Sequence, residues 1–182
     1  MRLSQESECK MTTKQKELVS RPHLFLDCDD VLADFTGHFR AMFSGADPHL
    51  VKLEHGKKVL YSMLKGEDDF YFKLPVLKEG RRLYEAVKHV EPTILTGHPS
   101  VVEPQWAIQQ KLRWGALHFP GVPVVACPSR HKCRHMKAEG DVLVDDRLKY
   151  KAFWADAGGE FVLYRPDAVD EVLEELRKLV AI

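Results

Sequence analysis

Asp27 and Asp29 stand two positions apart at the end of a short apolar run, in LFLDCDDVLAD over residues 24–34. Three or four apolar residues in succession suit a buried strand, and in open α/β sheets ligands gather at the carboxyl ends of the strands. Two acids on a buried element are costly unless a cation or a partner offsets them. If the strand continues, alternation points both carboxylates the same way; a turn here would aim them separately. The competing explanation is a helix start with Asp29 or Asp30 as N-cap, a common use of Asp.

A second acidic strand end raises the case for chemistry. Residues 141–147 read DVLVDDR, where Val142, Leu143 and Val144 form the apolar run and Asp145 and Asp146 follow it. Two such strands side by side would bring three or four carboxylates to one point. Hard oxygen ligands in that number suit Mg²⁺, which takes one or two carboxylates and completes its shell with water and substrate phosphate. Between these segments lies PTILTGHP, residues 92–99, a β-branched run ending in the hydroxyl of Thr96 and in Gly97. Glycine there lets the backbone approach a ligand closely; taken alone, the segment is an ordinary strand-to-loop turn. A fourth piece is cationic: SRHKCRHMK, residues 129–137, carries Arg130, Lys132, Arg134 and Lys137 and no acid. Most of these belong on a solvated loop. One lysine turned inward would hold an anion beside the acids.

The elements needed to position these residues are legible as alternating strands and helices. Apolar strands are expected at 23–27, 92–96, 122–127, 141–145 and 160–165, and helices near 78–90, 101–117, 147–157 and 167–181. In the last helix Val169, Val172, Leu173, Leu176 and Val180 recur at helical spacing and mark a core-facing stripe. Such alternation argues for a parallel sheet with helices on both faces. Residues 35–72 interrupt it with loosely helical apolar spacing, and Trp106, Trp114 and Trp154 fall on expected helices as core residues.

In chain order, DCDDV at 27–31, the strand ending in Thr96, a lysine in the 130s and VDD at 144–146 resemble the motif set of the haloacid dehalogenase superfamily of phosphotransferases. Within it the chain is most similar to the 5′(3′)-deoxyribonucleotidases and related small bacterial and phage phosphatases. The likeness spans residues 23–165 through DCDDVLADFTGHF, DFYFKLPVLKEGRRLYEAV and DVLVDDR. It implies a Rossmann-like three-layer α/β fold, with a parallel five-stranded sheet in the order 5-4-1-2-3 and a small helical cap inserted after the first strand. The core is then residues 21–34 and 73–182, the cap residues 35–72, and residues 1–20 a polar arm. A cap excludes water and supplies substrate contacts.

The resemblance also implies roles. Asp27 is the nucleophile that forms an aspartyl-phosphate. Asp29 is the general acid that protonates the leaving alcohol and later activates water. Mg²⁺ is held by the Asp27 carboxylate, the Asp29 backbone carbonyl and Asp145, with Asp146 close by. Thr96 and Lys132 hold phosphoryl oxygens beside Gly97, and Lys137 is the alternative lysine. Phe35 matches an aromatic that stacks on the base in the nucleotidases, and Phe70, Tyr71 and Phe72 are further candidates for substrate contact. Three departures stand out. Asp30 replaces the glycine that usually follows the second aspartate. The helix after Thr96 lacks the expected lysine, Gln105 and its neighbours occupying that stretch. No tryptophan lies between Asp34 and Phe70 to help clamp a nucleoside.

Composition bounds the rest. A chain of 182 residues with 45% hydrophobic and 30% charged content reads as one soluble globular domain with a small insertion. Its 27 basic and 27 acidic residues cancel, so no global field argues for long nucleic acids or anionic membranes. No run approaches the roughly 18 apolar residues of a membrane span, and the polar N-terminus has no signal-peptide core. Cys9, Cys28, Cys127 and Cys133 show no disulfide spacing, and reduced thiols in a cytoplasm fit best. Cys127, His131, Cys133 and His135 do not match structural zinc spacing. The expectation is an enzyme acting on a small phosphorylated substrate, with nucleoside monophosphates as the candidate class, as monomer or homodimer. The alternatives are a phosphatase on another small phosphorylated metabolite or on a nucleic-acid 3′-phosphate end, and a non-catalytic binding protein of the same fold.

Overall fold

A computed structural model describes residues 21–180 and 182; the polar arm expected over residues 1–20, with Cys9, lies outside the described residues. Five strands, β1 Leu24–Leu26, β2 Thr93–Gly97, β3 Val124–Cys127, β4 Val142–Asp145 and β5 Glu160–Leu163, form one parallel sheet in the order β3-β2-β1-β4-β5. This is the expected order, read from the other edge. Leu24 to Leu26 and Val142 to Val144 are buried throughout, as strands covered on both faces must be. Side-chain alternation assigns the two faces. Leu24, Leu26, Ile94, Val142 and Val144 enter the larger core, while Phe25, Leu95 and Leu143 enter a smaller one around Trp154.

The larger core is closed by α3 Lys78–Val87, α4 Gln105–His118 and α6 Val169–Val180, and the smaller by α5 Lys151–Ala155 with a 3₁₀ segment at Ser129–His135. Trp114 and Trp154 are buried core residues, and each indole N–H donates to a backbone carbonyl, of Leu74 and of Asp141. Two helices differ from expectation. The helix expected from residue 101 starts at Gln105, because Pro104 disfavours helical backbone at the residue before it. The one expected over 147–157 divides into a 3₁₀ turn, Leu148–Tyr150, and the short α5.

The chain leaves the sheet after β1 and returns to it at one place. Asp34 N–H donates to Pro75 O at 2.8 Å, and Leu77 N–H to Leu32 O at 2.9 Å. Between these ties lie α1 Phe35–Met42 and α2 Pro48–Gly66. Asp34 caps α1 by accepting from Gly37 N–H, and Asp47 caps α2 by accepting from His49 and Leu50 N–H, with Pro48 in the first turn. At Gly56 (φ 83°, ψ 165°) α2 breaks into two helical segments. The following turn is fixed to α4, where Gln110 Oε1 accepts from Tyr71 N–H at 2.8 Å. No helix among the described residues is long and apolar enough to cross a membrane.

The start of α3 presses on the loop after β1. A Cβ at Gly80 would lie 2.2 Å from Val31 O and 2.8 Å from Leu32 Cα, both backbone atoms. Gly→Ala within a helix ordinarily stabilises by about 1 kcal/mol. Here Gly80→Ala should instead destabilise by about 1–3 kcal/mol, the usual penalty of overpacking, and displace the loop that carries the acids. Chemical denaturation of the two proteins checks the sign.

Candidate active site

The carboxyl ends of β1, β2 and β4 meet at one point because the register pairs Leu26 with Ile94 on one side and with Val144 on the other. Asp27 continues β1 for one more ladder bond, its N–H donating to Val144 O at 2.9 Å. The chain then turns sharply. Cys28 O accepts the N–H groups of Val31, Leu32 and Ala33, and Asp30 takes the left-handed backbone (φ 59°) that favours glycine. The turn therefore aims Asp27 and Asp29 at different partners.

Asp27 faces Lys132 and Asp145. The Lys132 ammonium lies 2.8 Å from Asp27 Oδ1 and 2.6 Å from Asp145 Oδ2, and all three residues are buried. Burial alone would lower the Lys132 pKa, but the two carboxylates more than reverse this and hold it above its ordinary value. Asp146 completes a group of three acids, Asp27, Asp145 and Asp146, whose nearest oxygens all lie within 4.8 Å of one another. Burial, then the Asp27 charge, push the Asp146 carboxyl up to about 8, and the same two causes raise Asp145. Asp146 Oδ1 is buried without a hydrogen-bond partner among the described residues. Clustered carboxylates with raised proton affinity and an orphaned oxygen fit a divalent cation held by oxygen ligands.

Asp29 faces a residue that the sequence reading missed. Lys111 Nζ lies 2.5 and 2.7 Å from the two Asp29 carboxylate oxygens, 3.1 Å from Thr96 Oγ1 and 4.3 Å from the centre of the Tyr71 ring. The helix after Thr96 thus does supply a lysine, from its second half and not its start, which corrects the departure inferred from Gln105. The signal was present: Ala107, Lys111 and Trp114 form the buried stripe of α4, and a lysine on such a stripe needs a partner. Arg147, also unassigned from sequence, lies 3.7 Å from Asp146 Oδ2, and its backbone N–H donates to Asp145 Oδ1 at 2.8 Å.

A cavity of about 380 Å³ opens over these groups. Its lining includes Asp27, Asp29, Gly97 and Asp146 from the strand ends, Phe35, Lys52 and Tyr61 from α1 and α2, and Ser129 beside Gly97. Gly97 permits that approach, since a Cβ would stand 2.3 Å from Ser129 Oγ. Asp30 lines the cavity too. Its carboxylate accepts from Thr36 N–H and Oγ1 at 2.8 and 2.7 Å, so the third acid anchors α1, and burial raises its pKa.

Other expectations need revision. Lys137 lies away from the acids, with Nζ 3.1 Å from His23 Nε2 and its backbone N–H on Asp141 at the opposite end of the sheet. Phe70 is fully buried among Phe35, Phe39 and Tyr71, and Phe72 lies under the Arg113 guanidinium; neither lines the cavity. Phe35 and Tyr71 line it while packing against each other. Trp106 is only partly buried, tilted against Tyr71.

No family model and no curated protein matches the chain. Its fold is shared with solved structures. A dehalogenase superposes with a TM-score of 0.50 at 14% identity, covering 90% of this chain and 98% of its own. A HAD-superfamily hydrolase from Ehrlichia chaffeensis gives 0.49 at 11%, covering 87% and 98%. A hydrolase from Streptococcus pneumoniae gives 0.45 at 13%, covering 89% and 99%. The architecture, a parallel five-stranded sheet in the order β3-β2-β1-β4-β5 with helices on both faces, is the α/β fold shared with the dehalogenase.

A cation bound only by the folded chain stabilises it by mass action, about 2.7 kcal/mol at a hundredfold excess over Kd. For a chain of this size that is a rise in Tm of about 5–10 °C. Millimolar Mg²⁺ should produce it in a thermal melt, and Asp145→Asn should largely remove the response. A melt indifferent to Mg²⁺ in the unmodified protein would remove the metal assignment.

Proposed function

We propose that the chain is a Mg²⁺-dependent phosphomonoester hydrolase of the haloacid dehalogenase superfamily, working through an aspartyl-phosphate on Asp27. The observation that carries this reading is the buried group of Asp27, Asp145 and Asp146 bridged by Lys132. A carboxylate cannot approach a phosphate dianion unless cations offset both charges, and phosphoryl transfer is chiefly a matter of positioning and charge neutralisation. Mg²⁺ on Asp27, Asp145, Asp146 and the Asp29 backbone carbonyl would supply that neutralisation when bound.

The chain's own residues do the rest. Asp27 attacks phosphorus as the ester P–O bond breaks, and Asp29 delivers its proton to the departing alkoxide. Asp29 then takes a proton from the water that attacks the aspartyl-phosphate, which releases inorganic phosphate and restores Asp27. Lys132 fixes the direction of the Asp27 carboxylate, and its remaining N–H faces a phosphoryl oxygen. Thr96 and the backbone at Gly97 face the others. Lys111 holds Asp29 against Thr96 in the free protein. When a phosphate dianion enters, Lys111 gains a second partner, and Asp29, relieved of part of that pairing and facing the incoming negative charge, takes up from solvent the proton that it then gives to the alkoxide.

Displacement of a halide from carbon, the chemistry suggested by a dehalogenase neighbour, fits this site less well. A halide is a weak base that needs no proton, which would leave Asp29 without a role, and a neutral carbon centre does not call for a divalent cation. The residues 35–72 act as the cap. Their aromatic wall of Phe35, Tyr61 and Tyr71 suits a flat substrate body, with nucleoside monophosphates among the candidates. Small phosphorylated metabolites of other kinds remain in the same class.

A generic aryl phosphate tests the reaction. Asp27→Asn should abolish phosphate release, because no covalent intermediate forms, while its melting behaviour stays folded. Asp29→Asn should retain a burst of nitrophenolate from p-nitrophenyl phosphate, whose leaving group needs little protonation, but lose turnover by about 10²–10⁴-fold. Asp27→Asn as active as the parent protein would overturn the mechanism.

A further inference from the structure

Two lysines at the cavity mouth have no place in the chemistry just described. Lys52 lies near the start of α2, and Lys149 in the turn that follows Arg147; both line the same cavity. Among the described residues neither forms an ion pair. The acids of the same cavity already have partners: Asp27 has Lys132, Asp29 has Lys111, Asp30 has Thr36, Asp146 has Arg147, and Asp47 has Arg40. Lys149 Nζ lies 5.1 Å from the centre of the Tyr150 ring, but two ammonium groups facing one cavity without an ion-pair partner repel each other, so their placement points to an anion that arrives from outside.

We propose that Lys52 and Lys149 form a second anion subsite, so that the substrate is a small phosphomonoester carrying another anionic group, carboxylate or phosphate, at the end remote from Asp27. The proposal rests on the phosphatase reading. Leu60, Tyr61 and Tyr150 line the same cavity and would flank the body that joins the two anions. The cavity admits a small molecule and not a macromolecule. One lysine comes from the cap and the other from the core, so an anion held by both would also tie the cap to the core.

The electrostatics agree. Burial and the facing charges of Lys149 and Arg147, with Lys57 on the same helix, depress Lys52 to about 8. A lysine whose folded pKa falls below its unfolded value weakens the fold at neutral pH, and that penalty fades as pH rises from about 8 toward the ordinary lysine value near 10.5. Lys52→Met keeps the aliphatic stem. It should therefore melt no lower than the parent protein at pH 7, with any advantage shrinking toward pH 10.

The test is calorimetric binding of non-hydrolysable probes to the full chain with Mg²⁺. Alkylphosphonates, ω-phosphonoalkanoates and alkane-bisphosphonates are compared over increasing chain length. At one length the two-headed probes should bind about tenfold tighter or more than the alkylphosphonate, a gap of about 1.4 kcal/mol. In Lys52→Met with Lys149→Met that advantage should fall below about twofold, while alkylphosphonate binding stays unchanged. The terminal group that gains most identifies the second anion. If alkylphosphonates bind but no two-headed probe gains, or if the double variant weakens all probes equally, the subsite is overturned and the phosphatase reading stands. If no phosphonate binds at all, both fall. A Lys52→Met protein that melts lower than its parent at pH 7 makes Lys52 a structural residue and also overturns the proposal.

Discussion

The buried ammonium of Lys132 between Asp27 and Asp145 is the interaction on which the site depends. The sheet register leaves those two carboxylates no choice but to share the space at the ends of neighbouring strands. A shared cation offsets part of the cost of placing both carboxylates away from water. It does not finish the task. Around the cavity floor Asp27, Asp29, Asp30, Asp145 and Asp146 face Lys111, Lys132 and Arg147. On this floor the carboxylates outnumber the cations that pair with them, which is the setting a divalent cation would complete. Burial first, and then the charge of Asp27, raise the proton affinities of Asp145 and Asp146.

The turn after Asp27 divides the labour. Cys28 O gathers three N–H groups, and Asp30 adopts a backbone that few side chains accept. Continued strand would have pointed Asp27 and Asp29 at one partner. The turn instead sends Asp27 to Lys132 and Asp29 to Lys111, so that the two carboxylates have separate supports. Asp30 secures the turn by gripping Thr36, which joins the site directly to the start of α1.

Much of this was legible in the sequence, for identifiable reasons. The strands declared themselves because both faces of a parallel sheet are buried, and runs such as LFL and VLV have no other use. The acid pairs at their ends followed directly. What sequence could not supply was the partner across a long loop: Lys111 is 82 positions from Asp29, and only its place on a buried helical stripe hinted at it. Lys132 and Lys137 could not be separated by composition. The 3₁₀ winding of Ser129–His135 decides between them, carrying Lys132 inward and leaving Lys137 at the far end of the sheet. The aromatics of the insertion misled in part, because Phe70 and Phe72 satisfy packing needs that hydrophobicity alone cannot distinguish from ligand contact.

The insertion is attached to the core at its ends and at its distal turn. Its two ends are tied to each other at Asp34 and Pro75, and its distal turn is tied to α4 through Gln110. Between these anchors α2 buries only Pro48, Leu60 and Leu64, and it breaks at Gly56. Few buried contacts mean a low local cost of opening, so the first segment of α2 is the part of the cavity wall least bound to the core. The carboxylates and their lysines all sit on strand ends, on α4 and on the 3₁₀ segment, which the sheet holds in register. Substitutions at Lys52 or Tyr61 should therefore leave the distances among Asp27, Lys132 and Asp145 intact, because those distances are set by the strand register and the 3₁₀ segment and not by α2.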